Sequence, residues 1–307
     1  MEKLINEKLM KVRHSPDNSY FINEDISFDG MEELILEKSG IKTVETVDGV
    51  TRFRIPSFYQ QQYYPENNDI EIYYHPSVKP ECNILLLHGL FDDNMSNFLF
   101  LIKQLNDLNF NVYLMVLPYH FNRKPAESLF GGEFFFSADL YRTRNAFKQA
   151  VLDIEAAFQF IETQNNLPRR LLGFSMGGCV AFRYYLLKQH KIRTFLLNPV
   201  TDLKRLPWDN QLVLTVGRDL NESGLHIDEI NKILYEMDPC RNINCHFGFD
   251  NLSMACSLYD QIIEKSKYDV FIKTTGIENV IEYMAGHLNV LRVPRLSRDI
   301  YTFLIKD

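Results

Sequence analysis

Gly173-Phe174-Ser175-Met176-Gly177-Gly178 is the segment whose residue types point most directly to chemistry. It follows an apolar run and precedes a helix-prone stretch. A turn from strand to helix this tight puts its central residue in strained dihedrals and needs small neighbours. Gly173 and Gly177 leave that room. Ser175 is then lifted above the strand ends, near the positive end of the following helix. A hydroxyl held there serves attack on a carbonyl, provided that a base takes its proton.

The base must approach the serine from a distant loop. Ala285-Gly286-His287-Leu288 lies between the last expected strand and a C-terminal helix. Among the eight histidines only His287 stands in such a late loop, and it is the expected general base. A third segment, Leu85-Leu86-Leu87-His88-Gly89-Leu90, runs an apolar strand straight into a turn. There an N–H can face the nucleophile and, paired with that of Met176, bind an oxyanion. Leu90 is the expected donor, with Phe91 as the alternative. His88, between strand and loop, reads as scaffolding.

These residues need a frame that brings them together. Asn83–Leu87, Asn111–Leu117, Arg170–Gly173 and Thr194–Asn198 read as strands buried on both faces. Helical patterns stand between them, at Asn97–Leu108, Leu140–Gln164 and Gly178–Gln189. This alternation predicts an α/β fold, with a mostly parallel sheet covered by helices on both faces. Further strands are expected at Ile243–Gly248 and Asp269–Thr274, and a closing helix at Val293–Ile305. Residues 201–240 interrupt the rhythm and read as mostly helical. Leu206, Pro207, Trp208 and Leu212 give that segment apolar surface for a lid. Residues 1–69 read as an N-terminal extension with strand character at Val50–Ile55, and 70–307 as the catalytic domain.

Composition narrows the class. The 307 residues are 46% hydrophobic and carry a net charge of −7, from 33 basic and 40 acidic side chains. Such a chain buries a core, and its acidity disfavours nucleic acid and anionic membrane as partners. The longest apolar runs are strand length, so no transmembrane segment is expected. Residues 1–16 lack the apolar core of a signal peptide. Five cysteines, an odd number, suggest reduced thiols and a cytoplasmic location.

The order of the strand into His88-Gly89, the elbow at Gly173–Gly177 and the Gly286-His287 pair resembles the α/β-hydrolase superfamily, over about residues 70–307. Leu117-Pro118-Tyr119-His120 with Arg123-Lys124-Pro125 is similar, more narrowly, to the dienelactone-hydrolase-like branch. The resemblance implies a Ser-His-acid triad, an acyl-enzyme intermediate, no cofactor and a small-molecule ester-like substrate. It also implies an acid between Ser175 and His287. Asp250, after the expected strand 243–248, is the first choice and Asp202 the second. Asp260 and Glu264 read as surface charges on a helix. Acyl transfer by the same triad stays open, as does a non-catalytic binding role of the fold.

Other features read blandly. Cys245 and His246 would point to opposite faces of one strand, so Cys240, Cys245 and His246 do not form a metal site. Cys179 reads as a core filler. Gly131-Gly132-Glu133-Phe134-Phe135-Phe136 fits an acyl pocket or a loop anchor equally.

Overall fold

The computed structural model describes residues 27–61, 63–189, 191–241, 243 and 248–305. Nine strands form one sheet: β1 (Lys42–Val47), β2 (Val50–Pro56), β3 (Asp69–His75), β4 (Cys82–Leu87), β5 (Phe110–Met115), β6 (Arg169–Phe174), β7 (Thr194–Leu197), β8 (Leu252–Ser257) and β9 (Asn279–Tyr283). Their spatial order is β1-β2-β3-β5-β4-β6-β7-β8-β9. The pairs from β1 through β3 to β5 are antiparallel. All pairs from β5 and β4 to β9 are parallel. The sheet therefore continues into the region expected as an extension, through β1 and β2.

Eight α-helices accompany the sheet among the described residues: α1 (Leu99–Asp107), α2 (Leu140–Gln164), α3 (Met176–Leu187), α4 (Leu206–Asp209), α5 (Leu214–Glu222), α6 (Ile227–Met237), α7 (Lys265–Thr275) and α8 (Pro294–Leu304). The strand period of two sorts side chains between two cores. On β4, Leu85 and Leu87 face a core built with α2 and α3, including Val151, Ile154 and Val180. Ile84 and Leu86 face the other, with Leu101 and Leu105 of α1 and Leu296 and Ile300 of α8. A strand covered on both faces has no polar face to show, which is why β4 reads as a continuous apolar run.

Two late strands differ from expectation. The stretch Asp269–Thr274 lies inside α7, where Tyr268, Phe271 and Thr275 bury one helical face and Gly276, at φ 74°, ends the helix. The last strand is β9 instead. The expected strand 243–248 falls largely outside the described residues, and the strand beside β7 is β8. Residues 201–240 are helical as expected, and Leu212–Val216 takes no part in the sheet.

A buried polar cluster fastens the segment before β3 to α2. Arg123 and Asp153, both fully buried, pair at 2.8 Å, and Ser57 Oγ donates to Asp153 Oδ1 at 2.6 Å. Arg123 also donates to the carbonyls of Val116 and Asn67. The Leu117–Pro125 segment is thus packed scaffolding around a desolvated ion pair. Among the described residues no helix is long and apolar enough to cross a membrane.

Candidate active site

Parallel strands present their C-terminal ends, and the loops beyond them, along one edge of the sheet. Registers Leu87↔Gly173 and Phe174↔Leu197 bring the ends of β4, β6 and β7 side by side. Ser175 follows β6 with φ 54° and ψ −118°, a conformation that costs an L-residue of order 1–3 kcal/mol. The surroundings over-determine it. A Cβ on Gly177 would stand 2.4 Å from the His88 carbonyl oxygen and 2.6 Å from that of Leu87. One on Gly173 would stand 2.5 Å from the Gly177 oxygen. These contacts are with backbone, which cannot move aside. Gly177→Ala should therefore lower stability by about 2 kcal/mol, read as a fall in the thermal midpoint.

Ser175 Oγ lies 2.9 Å from His287 Nε2, and His287 Nδ1 lies 2.7 Å from Asp260 Oδ2. Ser175 and His287 are each 7% exposed, and the Asp260 side chain is fully buried. Burial alone would push the Asp260 carboxyl up. The hydrogen bond and charge of His287, the Ile263 amide and the Tyr268 hydroxyl outweigh it and hold the carboxyl below its ordinary value. Asp260 Oδ1 accepts the amides of Ile262 and Ile263 at 2.8 and 2.9 Å, and Oδ2 accepts Tyr268 OH at 2.7 Å. An ionised Asp260 puts the proton on His287 Nδ1 and leaves Nε2 free to accept from Ser175.

Asp250 is not at this site. It is an exposed turn residue just before β8, at the N-terminal end of that strand. Ser175 and His287 gather at the C-terminal ends, so the matching position is the loop after β8, where Asp260 stands. Asp202 instead accepts the Arg205 amide at 3.1 Å. Asp260, read from sequence as a surface charge on a helix, precedes α7 and faces inward. Its signal was the uncharged run from Asn251 to Tyr259, which ends at this aspartate.

Asn198 is a second residue the sequence reading missed. It is buried at the end of β7 with φ 43°, a conformation that Asn tolerates better than most residues. Its Oδ1 accepts the Ser257 amide at 2.8 Å. Its Nδ2 donates to Ser257 Oγ at 2.9 Å and to the His287 carbonyl at 3.0 Å. One side chain thereby ties the ends of β7 and β8 to the loop that carries His287.

Leu90, Phe91 and Met176 line the same cavity as Ser175. His88 is scaffolding: its Nε2 accepts the Leu117 amide at 3.0 Å, so its Nδ1 donates to the Gly89 carbonyl at 2.7 Å. Burial drives its pKa down to about 4, so the ring is neutral. Cys179 is fully buried, and burial pushes its thiol well up. Phe134, Phe135 and Phe136 are buried in the core and do not line the cavity, so that segment is an anchor. Cys240 is half-buried; Cys245 and His246 lie outside the described residues.

The cavity above Ser175 measures about 530 Å³. Its walls are mostly apolar, and Leu206, Leu212 and Val213 of the 201–240 segment form part of them. Among its lining residues Asp92 is the one Asp, Glu, Lys or Arg. Asp92 accepts the Gly89 amide at 3.1 Å and Asn97 Nδ2 at 2.9 Å. Burial raises its pKa from 3.8 to about 6. Its contribution to folding is complete below about pH 4 and is lost as the pH rises through 6. Asp92→Asn should raise the thermal midpoint by about 2 °C at pH 7.5 and leave it unchanged near pH 4.

Residues 83–224 match the family model described as alpha/beta hydrolase fold. A search of curated proteins gives no significant match. Among solved structures, an acetyl xylan esterase from Paenibacillus sp. R4 is similar with a TM-score of 0.61 and 12% identity, covering 98% of each chain. Acetyl xylan esterase 1 from Thermoanaerobacterium sp. JW/SL YS485 aligns at 0.56 and 15%, over 93% of this chain and 92% of its own. Est1E from Butyrivibrio proteoclasticus, with ferulic acid bound, aligns at 0.55 and 11%, over 77% of this chain and 94% of its own. At these identities the likeness is one of fold. Sheet topology and the family match over residues 83–224 show that the chain has the α/β-hydrolase fold.

Proposed function

We propose that the protein is a serine hydrolase of ester-like bonds. The observation that carries this reading is the unbroken line Ser175 Oγ–His287 Nε2, His287 Nδ1–Asp260 Oδ2, at 2.9 and 2.7 Å, opening on a cavity of about 530 Å³. Ser175 attacks the carbonyl as His287 takes its proton. The amides of Leu90 and Met176 stabilise the oxyanion, and Asp260 stabilises the imidazolium. His287 then protonates the leaving alcohol or thiol. Water, deprotonated by the same imidazole, releases the acyl group and restores Ser175. Every step uses side chains and amides of this chain.

The wall suits a neutral substrate. Asp92 opposes an anionic one, and among the described residues no Lys or Arg lines the cavity to receive it. Residues 201–240 serve as the cover of the site within a catalytic domain of 70–307. That solved structures of the same fold are named as esterases agrees with this chemistry. The test is turnover of a p-nitrophenyl ester series together with labelling by a fluorophosphonate. One label per folded chain, at Ser175, is the expected result. A folded chain that neither labels nor turns over any ester would sink the proposal.

A further inference from the structure

The roof of the cavity and the loop that holds Asp260 meet at one side chain. Asn210 follows α4 and is 7% exposed. Its Oδ1 accepts the Leu212 amide at 2.9 Å, which fixes the turn carrying Leu212 and Val213 over the cavity. Its Nδ2 donates to the Ile262 carbonyl at 2.6 Å. Ile262 is also one of the two residues whose amides hold Asp260 Oδ1. A continuous series of hydrogen bonds thus runs from the roof through Asn210, Ile262 and Asp260 to His287 and Ser175. A second pin lies alongside, where Lys267 of α7 donates to Asp209 of α4 at 2.9 Å. That pair is exposed and so weak, whereas the Asn210 bond is partly buried.

We infer that Asn210 is a positioning residue which latches the cavity roof to the Asp260 loop, so that one hydrogen bond serves both substrate enclosure and the orientation of His287. The inference rests on the proposed hydrolase reading. It assigns Asn210 no contact with the reacting atoms. Its effect passes through the Ile262–Ile263 peptide, whose carbonyl accepts from Asn210 and whose N–H, that of Ile263, donates to Asp260 Oδ1. With the latch cut, that peptide is free to rotate and Asp260 loses a fixed donor. The titratable groups that face His287 are Asp260, Tyr268 of α7 behind it, Ser175, and Asp92 across the cavity. Loosening Asp260 weakens the hold of the carboxylate on the imidazole, and with it the orientation of the ring toward Ser175.

The test uses two variants. Asn210→Ser retains a side-chain acceptor for the Leu212 amide but cannot reach the Ile262 carbonyl. Asn210→Asp keeps the shape and replaces the donor with an acceptor. Rates are taken on p-nitrophenyl acetate, too small to need the roof, and expressed per site titrated with a fluorophosphonate, so that unfolded chain does not enter. Both variants are expected to lose about tenfold in kcat with KM little changed. In an Asp260→Asn background, Asn210→Ser should have no further effect on kcat.

Unchanged kcat in both variants, or a change in KM alone, would overturn the latch and leave Asn210 as part of the roof alone. A change in Asn210→Asp without one in Asn210→Ser would overturn it too, since the added charge would then be the cause. Wild type that fails to label at Ser175 would strike the hydrolase reading instead. Wild type that labels and turns over, with normal variants, strikes only the latch.

Discussion

Ser175→Ala is expected to abolish fluorophosphonate labelling and to lower ester turnover by about a millionfold. The size follows from how the site is built. The hydroxyl is the atom that forms the acyl bond, and nothing nearby can replace it. Cys179, in the first turn of the same helix, is fully buried with its thiol pushed well up, so it supplies no thiolate. The substitution leaves the elbow intact. The close approaches that require glycine are at 173 and 177, and alanine adopts the backbone of position 175 at a strain similar to that of serine. The variant should unfold within a few degrees of wild type. Turnover that survives in a folded, unlabelled Ser175→Ala protein would mean that the chemistry resides elsewhere.

Asp260→Asn should lower kcat by about ten-thousandfold, while Asp250→Asn and Asp202→Asn leave it close to wild type. The Ile262 and Ile263 amides both donate to one oxygen of residue 260, so the asparagine carbonyl takes that place. Its NH2 group then faces His287 Nδ1. A donor there forces the imidazole proton onto Nε2, where it can no longer accept from Ser175. The geometry survives and the tautomer is wrong. Removal of the charge also withdraws support from the imidazolium. Circular dichroism should show an intact fold, and labelling should slow in step with kcat. A large loss in Asp250→Asn with none in Asp260→Asn would refute the assignment.

The contrast between these two aspartates shows where sequence reading met its limit. β4, β5, β6 and β7 are covered on both faces, and burial on both faces leaves a continuous apolar run that any reader can find. β8 is buried as thoroughly, yet in Leu252–Ser257 serines and small residues interrupt the apolar ones and no β-branched residue marks it as a strand. The β-branched run in Asp269–Thr274 misled in the opposite direction. There Val270 is exposed, and the helix is stabilised by the packing of Tyr268 and Phe271 beneath it. Tertiary contact overrode local preference. With the strand expected at 243–248, the acid was sought just after it, at Asp250, which stands at the opposite end of β8 from Ser175 and His287.

Features that depend only on neighbours along the chain are legible in the residues themselves. Gly173, Ser175 and Gly177 belong to one turn, and a five-residue turn is a local object whose sterics can be read residue by residue. His287 followed because only one histidine stands in a late loop. The tertiary structure decided the rest. Asp260 touches His287 across 27 positions of chain, Asn198 ties to the His287 carbonyl across 89, and Asn210 reaches Ile262 across 52. The two asparagines have no local signature, and the uncharged run before Asp260 does not say which way it faces, because a carboxylate or an amide side chain looks the same in sequence whether it faces water or a buried imidazole. Only the register of parallel strands, which sets which loops share an edge, says which polar side chains are enclosed and what they must hold.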